Sequence, residues 1–275
     1  MTNIQYYKGA IDATGCVSNG WNLVSANYGM YLGICVIATI TMIFLSCIPC
    51  LNILVIGLIN APLIAGIYYV LLRDMRGEPI DFGMMFKGFE KFVPVMIVGF
   101  IQAVPTIIFT ILQYALDLTR LATQILGQQG IGSGRDFYQS SDGTDIAIAG
   151  GLMIVYVVIV IAYLIFAIAW YISFAFAIPL VTEHNIGAIE ALQLSAKAGW
   201  GNVGGLIVLA ILGGLIGLAG ALALCIGIFF VIPIIYAAQA FAYRQVFPSV
   251  NAPTTYNTPP PPGEYGGSFG QQYGS

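Results

Sequence analysis

Long uncharged apolar runs dominate this chain, and they leave it few ways to fold. A backbone in hydrocarbon must satisfy its polar groups within its own segment, so a run of ~20 apolar residues there is helical. Such runs occupy residues 27–47, 51–72, 92–116, 150–181, 203–223 and 226–243. Strands of a β-barrel would alternate apolar and polar residues, and these runs do not. The expected fold is therefore all-α: a polytopic transmembrane helical bundle of about six spans. Charge decides between lipid and a large soluble core. Charged residues make up 8% of the 275, hydrophobic ones 59%, and mean hydropathy is +0.88. A soluble domain carries roughly 25% charged residues because its surface faces water. The fourth run is long, and reads as one tilted helix because no polar turn interrupts it.

The polar N-terminal stretch lacks the apolar core of a secretory signal, so the first run is expected to stay as an anchor. Lysine and arginine then orient the bundle. With a cytoplasmic N-terminus, Lys8, Arg73, Arg76, Lys87, Lys91, Lys197 and Arg244 lie inside, and Arg120 and Arg135 outside. That asymmetry follows the positive-inside pattern and places both termini in the cytoplasm. The 9 Lys and Arg are scattered along the chain and do not make the clustered basic face that nucleic-acid binding needs.

Three short stretches ahead of spans one, three and five have amphipathic spacing: Trp21, Val24 and Tyr28; Phe82, Met85, Phe86 and Phe89; Ile189, Leu192 and Ala196, ending near Trp200. They are expected as interfacial lead-in helices, with Asp81 and Asn185 as N-caps. A weak repeat accompanies them, since Pro62 precedes Arg73 by 11 residues and Pro233 precedes Arg244 by the same 11. Pro179 suggests a less regular third copy. The membrane domain, 18–247, then reads as a pseudo-repeat of hairpin units over roughly 18–76, 80–182 and 186–247. Residues 1–17 form a cytoplasmic segment, 117–145 a polar outer loop, and 248–275 a Pro/Gly/Tyr-rich tail too poor in aliphatics to fold.

The stretches APLIAGIYYVLLRDMRGEPIDFGMMFKGF, FAIPLVTEHNIGAIEALQLSAKAGWGNVGGLIVL and CIGIFFVIPIIYAAQAFAYRQVF resemble a group of uncharacterised bacterial multi-pass membrane proteins. That group is similar to the membrane domain found with some glycerophosphodiester phosphodiesterases. The resemblance covers roughly 18–247. It implies a six-helix bundle in a bacterial plasma membrane, imports no activity, and brings no phosphodiesterase domain.

Chemical motifs are few. Cys47 and Cys50 form a Cys-x-x-Cys pair at the expected outer turn between spans one and two, with Cys225 at the corresponding later turn. Thiol exchange there would depend on thiolate pKa, whereas small apolar cysteines at a helix turn need no function. His184 beside Glu183 cannot complete a metal shell. The glycines at 130, 132 and 134 lack the following Lys-Ser/Thr of a phosphate loop. Gly213, Gly217 and Ala221 repeat at the four-residue spacing that lets helices approach closely.

Inside the spans, Asn60, Gln102, Gln113 and Gln239 are the main polar side chains, and Pro62, Pro105 and Pro233 could break helices around a solute. They could equally only kink, with the released carbonyls met by Asn60 or a nearby hydroxyl. Charges concentrate at 73–91, where Arg73, Arg76, Lys87 and Lys91 are the candidate contacts for a protein partner or lipid headgroups, alternating with acids. The sequence thus supports a non-enzymatic accessory or scaffold protein acting through this loop and the tail. The alternatives are a permease or channel for a small neutral or lipid-like substrate, and thiol redox chemistry at Cys47 and Cys50. No cofactor is expected. The lipid bilayer is the expected surrounding, with a membrane or cytoplasmic protein partner and no nucleic acid.

Overall fold

The computed structural model describes residues 4–46, 56–116, 143–223 and 227–248, and these are helical throughout apart from short connections. In chain order the helices are α1 (Ala13–Ala26), α2 (Tyr28–Ser46), a π turn (Ile56–Asn60), α3 (Ala61–Asp74), a 3-10 helix (Phe82–Lys91), α4 (Phe92–Leu116), α5 (Gly143–Phe174), α6 (Ala177–His184), α7 (Ala188–Trp200), α8 (Val203–Leu222) and α9 (Gly227–Val246). Four stretches are long and apolar enough to cross a bilayer: Phe82–Gln113, Ile154–His184, Val203–Leu222 and Gly227–Val246. The bent pair α1–α2 would make a fifth. Of the expected second span, residues 51–55 lie outside the described residues.

The chain forms two compact units, residues 1–102 with 172–275, and residues 103–171. The smaller unit holds the second half of α4 and most of α5. Phe109 and Tyr163 pack there at 4.9 Å between ring centres. Pro105 lies in this part of α4. The larger unit contains the buried core. Its centre is α9, which buries Ala237, Ala238, Ala240, Phe241, Ala242 and Tyr243.

Each lead-in stretch takes a different form. Asp12 caps α1, accepting from the Gly15 amide at 3.1 Å, and Asn27, at φ −130°, ends it. There the chain turns 99° into α2. Trp21 is exposed while Val24 is buried, and Gly20 lets α1 touch α9, since a Cβ there would sit 2.8 Å from the Ala238 nitrogen. The second stretch is a 3-10 helix capped by Asp81, as its position after Pro79 suggests. It runs on into α4 without a sharp bend, the two together making the 32-residue candidate span Phe82–Gln113. A Cβ at Gly66 would come within bonding distance of the Met85 carbonyl, so only glycine fits this crossing of α3 and the 3-10 helix. Asn185 is not an N-cap. It adopts φ 54° at the C-terminus of α6, a left-handed position that asparagine tolerates, and Gly187 caps α7 instead.

The long fourth run crosses as one stretch, Ile154–His184, with a local interruption at Ala175 and Phe176 between α5 and α6. Pro179 supplies the reason. It has no N–H to donate and its ring crowds the carbonyl four residues back, that of Ala175. The polar groups exposed by the break find side-chain partners. Ser195, fully buried, accepts from the Phe176 amide at 3.1 Å and donates to Ser173 O at 2.9 Å. Gln102 Nε2 donates to Phe174 O at 2.7 Å.

Candidate functional site

Several described charged residues of the larger unit converge where α3, the 3-10 helix, α6 and α9 end. Glu183, in the last turn of α6, stands at the middle. Its Oε1 lies 2.5 Å from Arg244 Nη1 and 3.8 Å from Arg76 Nη1. Its Oε2 accepts from the Tyr243 hydroxyl at 2.7 Å and lies 3.7 Å from His184 Nε2, too far for a hydrogen bond. Arg244 is 9% exposed and the Glu183 side chain 15%, so water screens this pair little. Lys91 donates to Val181 O at 3.1 Å and to Thr182 O at 2.8 Å, satisfying carbonyls that the end of α6 leaves open. Phe176, Tyr243 and Phe247 pack beneath, with the Tyr243 and Phe247 rings 5.3 Å apart.

The turn after α3 closes on itself. Arg73 Nε is shared between Pro79 O and Glu78 Oε2, both at 3.1 Å, and Arg76 Nε meets Glu78 Oε1 at 2.6 Å. The hydrogen bond from Arg76, with the charges of Arg76 and Arg73, holds the Glu78 carboxyl below its ordinary range. Asp74 shifts the other way because it is partly buried, and it accepts from the Tyr31 hydroxyl at 2.6 Å. Of the four candidate contact residues, Arg73, Arg76 and Lys91 are thus engaged within the protein. Lys87 is different, pairing at 2.5 Å with Glu90 on the open surface beside exposed Phe86.

The intramembrane candidates are dispersed. Asn60 closes the π turn and makes no capping hydrogen bond to α3. Pro62 starts α3 and presses its carbonyl against Gly88. Pro233 lies within α9, where its missing N–H leaves the Phe229 carbonyl without its helical donor. The Tyr28 hydroxyl reaches the neighbouring Phe230 O at 2.9 Å. Gln239 sits between buried Ala238 and Ala240 on the same helix. Gly213 and Gly217 face Ile235 of α9, at 3.8 and 3.9 Å from where a Cβ would stand, and Ala221 follows one turn later in α8. Cys47, Cys50 and Cys225, and the tail from 249, lie outside the described residues. Cys16 and Cys35 are free thiols buried in the core. Among the described residues no three His, Cys, Asp or Glu side chains gather as a metal shell would require.

Two groupings escape a reading of the sequence. One is the convergence on Glu183, whose only hint is the matched Pro–Arg spacing that puts Arg73 and Arg244 at equivalent helix ends. The other ties down the N-terminal segment. Tyr7 N donates to Val246 O, Ala10 N to Asn202 Oδ1 and Asp12 N to Gln245 Oε1, at 3.0, 2.9 and 2.8 Å. Asn202 Nδ2 returns a bond to Tyr7 O at 2.9 Å. Comparison with protein-family models, with curated proteins and with solved structures finds no match for the chain.

Proposed function

We propose that this chain is a non-enzymatic scaffold of a bacterial plasma membrane, with both termini in the cytoplasm, that presents its 73–91 segment to a protein partner. One observation carries the reading. Arg73 and Arg76 are clamped on Glu78, and Lys91 on the end of α6, so the segment is held in one shape while Phe86, Lys87 and Glu90 face outward. A surface ordered beforehand loses less conformational entropy on binding. An apolar ring flanked by opposite charges suits a protein better than a purely anionic membrane surface. The test is purification in mild detergent with mass spectrometry of what accompanies the chain. A stoichiometric protein should be lost with Phe86→Ala or Lys87→Glu and retained with Trp21→Ala. If no protein accompanies the wild type, or if all three variants behave alike, the reading fails.

A permease for a small neutral or lipid-like substrate is the second reading, favoured by the break between α5 and α6 within an apolar stretch. Gln102 and Ser195 already occupy the groups that the break releases. Transport would therefore require those bonds to exchange. Gln102→Leu should then change flux in reconstituted vesicles, and absence of flux from the wild type ends this reading.

A further inference from the structure

The cluster around Glu183 holds more positive charge than the scaffold reading uses. Arg73, Arg76, Lys91 and Arg244 gather around Glu78 and Glu183, with Glu90 also acting on Lys91, in a chain whose charged residues total 8%. Arg244 uses Nη1 on Glu183, whereas its buried Nη2 and the buried His184 Nε2 find no hydrogen-bond partner among the described residues. Both nitrogens belong to residues flanking the same carboxylate. Arg76 and His184 are each 31% exposed and form the open side of the cluster, while Arg244 closes the back. The cluster also lies at the ends of two apolar stretches, Ile154–His184 and Gly227–Val246, which is the depth of lipid headgroups if these cross the bilayer. Cationic clefts between helices at that depth suit phosphate, and arginine's planar fork suits it best.

We propose that this cluster is a phosphate site that takes the headgroup of an anionic phospholipid, with Arg76 and His184 at its rim and Lys91 and Arg244 behind. The site needs the membrane placement of the larger unit and is independent of any protein partner at Phe86 and Lys87. Its chemistry is that of a phosphate monoanion or diester, which a soluble phosphate could share.

The experiment uses the full chain in detergent, titrated with phosphatidylglycerol, with phosphatidylcholine and with inorganic phosphate, and followed by native mass spectrometry and thermal shift. Phosphatidylglycerol should bind and stabilise in preference to phosphatidylcholine. Arg76→Gln should weaken that binding about fivefold, the effect of one cation near a membrane surface. Arg244→Lys, which keeps the charge and loses the fork, should weaken it too. Lys87→Gln should leave it unchanged. Inorganic phosphate that competes with the lipid would support the site and admit a soluble ligand. Lipid selectivity without that competition would support the headgroup alone. Equal binding of both lipids overturns the proposal, as does a Lys87→Gln loss matching that of Arg76→Gln, since bulk charge then explains the preference. Arg76 is partly exposed, so its variant keeps the test decisive if Arg244→Lys does not fold.

Discussion

Replacing Glu183 by Gln takes the counter-charge from Arg244 while leaving the shape of the site nearly intact. The new amide oxygen can still accept from Arg244 Nη1, and the amide nitrogen that replaces Oε2 can donate to the Tyr243 hydroxyl, so both contacts survive, one of them reversed, and the charge pairing does not. Arg244 is then a cation 9% exposed, with Lys91 and Arg76 nearby and no carboxylate against its fork. Breaking a buried ion pair by removing one partner costs about 3–5 kcal/mol. The surviving hydrogen bonds put this case at the lower end, about 3 kcal/mol. At about 2–4 °C per kcal/mol, melting in detergent should fall by about 6–12 °C. The second variant, Glu183→Gln with Arg244→Met, removes both charges and fills the volume, and should recover most of the loss, because apolar replacement of a buried pair is often neutral. The assay is thermal melting of the single and double variants, followed by intrinsic fluorescence. If the single variant melts within about 2 °C of wild type, Glu183 is not the electrostatic centre of the larger unit. If the double variant is worse than the single one, the arginine is held by something other than that charge.

Ser195→Ala should remove the buried partner of the Phe176 amide, costing about 1–3 kcal/mol for that group, together with its bond to the Ser173 carbonyl. Ser195→Thr, which keeps the hydroxyl, should retain more stability in the same melting assay. Gly66→Ala should prevent α3 and the 3-10 helix from packing, because the added methyl meets the Met85 backbone and not a flexible side chain; loss of monodisperse protein on gel filtration checks this. Acidification should loosen the turn after α3. The depressed pKa of Glu78 contributes stability above its ordinary value of 4.5, and that stability is lost as pH falls through the lower folded value. Protection from hydrogen exchange at residues 73–80, corrected for the intrinsic pH dependence of exchange, should fall as the pH drops below 4.5, and Glu78→Gln should flatten the response. Asp74, shifted upward, acts with the opposite sign and is untouched by that variant.

How much of this was legible beforehand depends on the range of the interaction. Asp81 as an N-cap could be read because capping involves only neighbouring residues. Asn185 was misplaced because asparagine serves at either end of a helix, and only the backbone angle tells which. Pro179 stood in plain view, yet whether it kinks or parts a helix depends on a serine and a glutamine supplied by other helices. Gln102 illustrates the same limit: a lone amide in an apolar run reads as a substrate contact until its partner, a carbonyl 72 residues away, is known.

The sequence alone determined that this chain is helical and extensively apolar, since ~20-residue runs without charge satisfy their polar groups only as helices in lipid. It also determined where the charges could stand, at the ends of those runs. Only the tertiary structure decided what the charges do. Arg73 and Arg76 share Glu78 close by in the chain, whereas Arg244 and Lys91 reach α6 from segments far apart in sequence. Periodicity records which face of a helix is apolar, but it holds no information on which helix end will meet which.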